Sequence, residues 1–156
     1  MVNSLGATTD VADVAEETGI EIGFEIMRAD HPVAAWIDLY TEGGAHVFSA
    51  VDGESSVAPR EPGSYVSTAW LPDHLLNEGT LHVTVSLRTP QLGLKSWNHA
   101  EVESALTFQV AERSGVPTAR GEFAGRMAGP VRPLLRWSTH AGQAQDAPLV
   151  GRPAGE

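Results

Sequence analysis

At 156 residues the chain is long enough for one domain with its own core and too short for two of ordinary size. Ten Lys and Arg against twenty Asp and Glu leave a formal charge of −10, which repels nucleic-acid phosphates and anionic membrane surfaces. The absence of cysteine excludes disulfides, thiolate metal sites and cysteine catalysis, while sixteen Gly and ten Pro favour an all-β chain with many turns.

Residues 1–9 are small and polar and are expected to form a flexible N-terminus. Asp10 to Glu17 alternates weakly and suits an edge strand. Ile20 to Arg28 is clearer, with Ile20, Ile22, Phe24 and Ile26 on one face and Glu21 and Glu25 on the other. Asp30-His31-Pro32 marks a turn, because Pro32 drives His31 out of the helical region. Val33 to Thr41 is the next strand, with Val33, Ala35, Ile37 and Leu39 alternating against Ala34, Trp36, Asp38 and Tyr40. Glu42-Gly43-Gly44 turns the chain back into Ala45 to Val51.

Asp52 to Gly63 is a polar loop, and Ser64 to Trp70 a further strand. Leu71 to Val83 opens on Pro72, carries Leu75-Leu76 and closes on Asn77-Glu78-Gly79, which predicts a short helical bridge between strands. Thr80 to Arg88 alternates throughout: Leu81, Val83, Val85 and Leu87 against His82, Thr84, Ser86 and Arg88. A loop with Pro90, Gly93 and Trp97 leads to a strand at Ala105 to Val110. A last strand is expected at Leu134 to Trp137, and residues 138–156 are expected to be a disordered tail. The fold these elements predict is an immunoglobulin-like antiparallel β-sandwich over residues 10–137, with one helical bridge.

Signatures of catalysis are missing. There is no Walker pattern, no G-x-G-x-x-G after a strand and no G-x-S-x-G elbow. Histidines at 31, 46, 74, 82, 99 and 140 include no pair at metal-ligand spacing, so neither metal nor cofactor is expected. No apolar run reaches the roughly 18 to 20 residues of a membrane span. The start MVNSLGATTDVADVAEE has neither a basic n-region nor an apolar h-region, so a cytoplasmic protein is expected.

Four motifs in order resemble one family. They are Gly44-Ala45-His46-Val47-Phe48; Gly63 followed by the bridge Leu71-Pro72-Asp73-His74-Leu75-Leu76-Asn77-Glu78-Gly79; Leu106-Thr107-Phe108-Gln109-Val110; and Arg120-Gly121 with Gly129-Pro130-Val131-Arg132-Pro133-Leu134-Leu135-Arg136-Trp137. Together they resemble the carbohydrate-binding C-terminal domain of Wzt-type ATPases from O-antigen ABC transporters. The family often has an aromatic after the bridge glycine, where this chain has Leu81. The resemblance implies a non-catalytic β-sandwich that binds an exported polysaccharide, works with an ABC-transporter ATPase and permease, and forms a homodimer, in some members by strand exchange. An associated ATPase domain would lie elsewhere, since this sequence has no Walker motif.

Sugar binding needs an exposed aromatic ring for the apolar face of a pyranose and planar polar groups for its hydroxyls. The candidates are Trp36, Asp38 and Tyr40 on one strand, His82, Thr84, Ser86 and Arg88 on another, and Trp97. Each has a plain structural alternative. Trp36 equally suits the core of a sandwich, and Tyr40 a core cap with a wet hydroxyl. His82, Thr84 and Ser86 suit an ordinary solvated sheet face. Arg88 suits either a local carboxylate or a sugar acid or phosphate cap, and Trp97 either a ligand platform or a plug over the sandwich end. Two other functions fit the same fold: a protein-interaction module using its acidic surface, and an accessory domain of a glycosyltransferase or other carbohydrate-active enzyme.

Overall fold

The computed structural model describes residues 1–54, 58–90, 96–113 and 115–140. Among them, eight strands form two sheets: β1 (Val2–Asn3), β2 (Val11–Asp13), β3 (Thr18–Ile26), β4 (Ala34–Thr41), β5 (His46–Val51), β6 (Gly63–Leu71), β7 (Gly79–Thr89) and β8 (Trp97–Ala111). The smaller sheet has the order β1-β3-β6 and the larger β2-β8-β7-β4-β5. The all-β class and the two-sheet architecture are those the alternating sequence predicts.

The core is built from the predicted inward faces. Ile20 and Ile22 of β3 oppose Ala35, Ile37 and Leu39 of β4, Leu81 and Val83 of β7, and Phe108 and Val110 of β8. Phe108, Ile37, Leu39 and Val83 are fully enclosed. Each such side chain contributes about 1.5 to 3 kcal/mol when removed from water, so these strands hold the two layers together. The β4–β5 hairpin turns at Gly44, whose φ of +79° is one that a side chain rarely adopts. Thr41 secures the turn, its Oγ1 accepting from the Ala45 amide at 3.1 Å.

Five local expectations need correction. The first residues, expected to be flexible, supply β1, which pairs with β3 and buries Val2. The sandwich is not wholly antiparallel, because β2 runs parallel to β8 at the edge of the larger sheet. The bridge is a turn and not a helix. His74 stands at φ 53°, which interrupts right-handed helical geometry, and its amide donates to the Val14 carbonyl at 2.7 Å. Leu71 and Leu76 still close the end of the core, with Leu75 packed against them.

The other two corrections concern β8 and the closing segment. Trp97 begins β8 instead of sitting in a loop, and that strand is much longer than Ala105 to Val110. All of its first nine residues are exposed, so no burial alternation marked them in the sequence. Leu134 to Trp137 forms no strand; only Val131 makes a bridge, to Leu76. Residues 141–156 of the expected tail and Gly93 of the expected loop lie outside the described residues.

The closing segment is tied to the turn by polar groups. Asn77 donates through Nδ2 to the carbonyls of Met127 and Gly129, each at 2.8 Å. The Arg132 amide donates to the Leu75 carbonyl at 2.9 Å. Beside these bonds, Arg120 and Arg132 pair with Glu78 and Glu112: Arg132 Nη2 lies 2.9 Å and Arg120 Nη2 3.1 Å from Glu112 Oε2. Arg120 also contacts Glu78 directly, and the Thr118 hydroxyl donates to Glu112. Two guanidiniums and two carboxylates make this cluster neutral, and the Arg132 side chain is almost fully enclosed in it.

Candidate functional site

The register of the larger sheet brings seven of the eight candidate residues onto one outer face. Strand β4 pairs with β7 so that Tyr40 faces His82, Asp38 faces Thr84, Trp36 faces Ser86 and Ala34 faces Arg88. Directly paired residues point to the same side of a sheet, so the outward sets of the two strands become one surface. Its neighbours extend it: His46, Ser49 and Val51 of β5 on one flank, Asn98, Glu101 and Thr107 of β8 on the other.

An open depression of about 380 Å³ lies on this face, lined among others by Asp38, Tyr40, His82, Thr84, Arg88 and Glu101. Asp38 is its most heavily engaged residue. Its carboxylate accepts from the Ser49 hydroxyl and lies 3.5 Å from both His46 Nε2 and Arg88 Nη2. Arg88 Nη2 is also 3.5 Å from Glu101 Oε2, which accepts from Asn98 Nδ2 at 2.9 Å. The guanidinium carbon stands 4.9 Å from the centre of the Trp36 ring, a cation–π arrangement that covers the indole.

Tyr40 meets His46 edge-on at 5.2 Å, and His82 Nδ1 is 2.8 Å from the Thr107 hydroxyl. Three enclosed polar atoms beside these groups have no hydrogen-bond partner: Trp36 Nε1, Ser86 Oγ and Arg88 Nε. An unpaired buried donor costs about 1 to 3 kcal/mol, which concentrates unmet hydrogen-bonding capacity at one end of the face.

Trp97 lies elsewhere. It pairs with Thr89, which follows Arg88 and points to the opposite side, because a bulge at His99 shifts the register of β8 between Ala100 and Asn98. Its half-exposed ring meets the His31 ring edge-on at 5.4 Å, near His99, whose Nε2 is 2.7 Å from Thr89 Oγ1. The structure thus separates Trp97 from the other seven candidates. Among the described residues, no group of three or more His, Asp or Glu is placed to hold a metal ion.

Sequence reasoning missed the flanks of the face. His46 and Ser49 lie in a short strand whose register shifts at Leu39/Tyr40, so period-two reading does not place them beside Tyr40 and Asp38. Asn98 and Glu101 lie in the uniformly exposed part of β8.

No protein-family model and no curated protein matches this sequence. Among solved structures, one described as the C-terminal domain of Wzt superposes with a TM-score of 0.67. The fold is that of the Wzt C-terminal domain. The likeness covers 89% of this chain and 78% of the Wzt domain at 12% sequence identity, so it concerns the backbone arrangement. With so few identities to the Wzt domain, the chemistry of the outer face has to be read from this chain's own residues.

Proposed function

We propose that this chain is a non-catalytic glycan-binding module that couples recognition of an O-antigen-like polysaccharide to its export by an ABC transporter. The observation that carries the reading is the gathering of Trp36, Asp38, Tyr40, His82, Thr84, Ser86 and Arg88 on one outer face of a Wzt-like sandwich. Tyr40 offers a ring at the open depression, and the carboxylates and hydroxyls around it suit sugar hydroxyls. The glycan lies across β4 and β7, beside the Arg88 guanidinium that covers the Trp36 ring.

In this reading the module works at the inner side of the membrane with an ATPase and a permease. No helix among the described residues is long and apolar enough to cross a bilayer. It acts as a homodimer, and the exposed side chains of Leu134, Leu135 and Trp137 on the closing segment supply apolar surface for a second copy. Light scattering at increasing concentration tests the dimer; a monomer throughout would refute it.

The decisive experiment is calorimetric titration with the polysaccharide encoded at the protein's own genomic locus. Saturable binding that weakens in Trp36→Ala and Arg88→Ala is expected. An absence of binding to that polysaccharide, with the fold intact, would overturn the reading.

A further inference from the structure

A glycan end offers its receptor one of three kinds of group: an anion such as phosphate or carboxylate, neutral hydroxyls, or a protonated amine. Arginine is the usual receptor for the anion, because its planar fork matches two oxygens at once. Arg88 is the only arginine or lysine lining the depression among the described residues, and its charge is already engaged. Asp38 and Glu101 each lie 3.5 Å from Nη2, and the guanidinium carbon stands over the Trp36 ring.

Around it the depression is lined by the carboxylates of Asp38, Glu42, Glu101 and Glu103. Glu42 and Glu103 are exposed, and neither side chain makes a hydrogen bond or ion pair with another described residue. Among the described residues, four negative groups therefore stand against one positive group, with only His82 as a further basic side chain in the lining.

We propose that the recognised glycan end is uncharged or carries a free amine, and that this face excludes ends bearing phosphate or carboxylate. The proposal rests on the glycan reading above and names the class of sugar that reading leaves open. Hydrogen-bond complementarity leads to the same class. The unpartnered groups at the Arg88 end are two N–H donors, Trp36 Nε1 and Arg88 Nε, and the hydroxyl of Ser86, a residue only 1% exposed. They alternate with the carboxylate acceptors of Asp38 and Glu101 on the adjoining strands.

A sugar hydroxyl suits the lining of the depression, since it donates to the carboxylates and exchanges hydrogen bonds with the hydroxyls of Tyr40 and Thr84, whereas the enclosed donors of Trp36 and Ser86 lie beneath the Arg88 end and outside that lining. An ammonium group donates to the free carboxylates of Glu42 and Glu103. A phosphate only accepts, and it meets repulsion from each carboxylate around it. At a separation of about 7 Å in a mostly aqueous setting, each carboxylate lowers anion affinity roughly threefold at low ionic strength.

The test is a glycan array with three matched sets ending in glucose, mannose or galactose, each as the neutral sugar, the 2-amino sugar and the 6-phosphate. The locus polysaccharide serves as the positive control. Within whichever set binds, the neutral and amino forms are expected to bind at least about tenfold more tightly than the phosphate, with the gap narrowing as salt rises. Tightest binding of the phosphorylated form would overturn this proposal while leaving the glycan reading intact.

Failure of every probe, the locus polysaccharide included, would overturn the glycan reading and this proposal with it. Glu103→Gln, an exposed substitution outside any ion pair, is expected to shift the neutral-to-phosphate affinity ratio roughly threefold toward phosphate. An unchanged ratio in this folded variant would also count against the proposal.

Discussion

Two arginine–carboxylate clusters occupy different parts of this sandwich, and they are built on opposite plans. The first joins Arg120 and Arg132 of the closing segment to Glu78 of the turn and Glu112 beyond β8, linking positions far apart in sequence. It is neutral, and the Arg132 side chain has only 2% of its surface exposed. The second sets Arg88 between Asp38 and Glu101 on adjoining strands, carries excess negative charge and opens onto solvent.

Both contain unpartnered guanidinium nitrogens, and the second adds two atoms of another kind. In the first, those of Arg120 and Arg132 belong to guanidiniums that are otherwise engaged through Nη2. In the second, the unpartnered atoms of Trp36 and Ser86 are the sole polar atoms of their side chains. A cluster that ties distant segments together with its charges balanced is suited to hold a fold. An open cluster with unused donors is suited to receive a ligand.

The largest expected effect falls on the first cluster. Arg132→Ala leaves Glu112 and Glu78 facing each other with one cation removed, and the loss is expected to be about 3 kcal/mol in urea unfolding. A loss under about 1 kcal/mol would show that the cluster does not hold the closing segment. Asn77→Ala is expected to cost about 2 kcal/mol, because it removes the bonds to the Met127 and Gly129 carbonyls at the same anchor. Neither variant is expected to change glycan affinity once the fold is confirmed by circular dichroism.

Trp36→Ala probes the second cluster from the ligand side. Glycan affinity is expected to fall about tenfold or more, equivalent to about 1.4 kcal/mol, with a smaller loss of stability than Arg132→Ala. Unchanged affinity in calorimetry would remove Trp36 from the binding surface and weaken the contrast between the clusters.

How much of this was legible beforehand follows from the physics of each element. Apolar and polar residues alternate along β4 and β7 because one face of each packs on the core, so Trp36, Asp38, Tyr40, His82, Thr84, Ser86 and Arg88 could be named from spacing alone. Their mutual placement needed the register, which the sequence does not write down. The β8 half of the face was invisible because that stretch is exposed on both sides and carries no pattern. Trp97 was a fair candidate by type, and only the bulge beside Asn98 turned it away.

The bridge shows a different limit. Its Pro and Leu-Leu spacing suits one helical turn, but Asn77 is engaged with the closing segment and His74 adopts a left-handed conformation. Those constraints come from residues about fifty positions away and no local propensity contains them. The arginine–glutamate cluster was hidden for the same reason: its four members are separated in sequence and meet only when the closing segment crosses the turn.

The smallest expected effect on stability separates the clusters most cleanly. Arg88→Ala removes ion pairs at 3.5 Å from a partly exposed site, contributions that are typically about 0 to 1 kcal/mol. It also removes a cation–π contact of similar size, yet it eliminates one unpartnered nitrogen and uncovers the Trp36 ring to water. These terms oppose one another, so the net change in unfolding free energy is expected to stay below about 1 kcal/mol. Glycan affinity is expected to fall nonetheless, because the guanidinium beside the bound glycan is lost. A stability loss near that of Arg132→Ala, with glycan binding unaltered, would mean that Arg88 is a structural brace like its counterpart, and the assignment of this face to ligand binding would then fail.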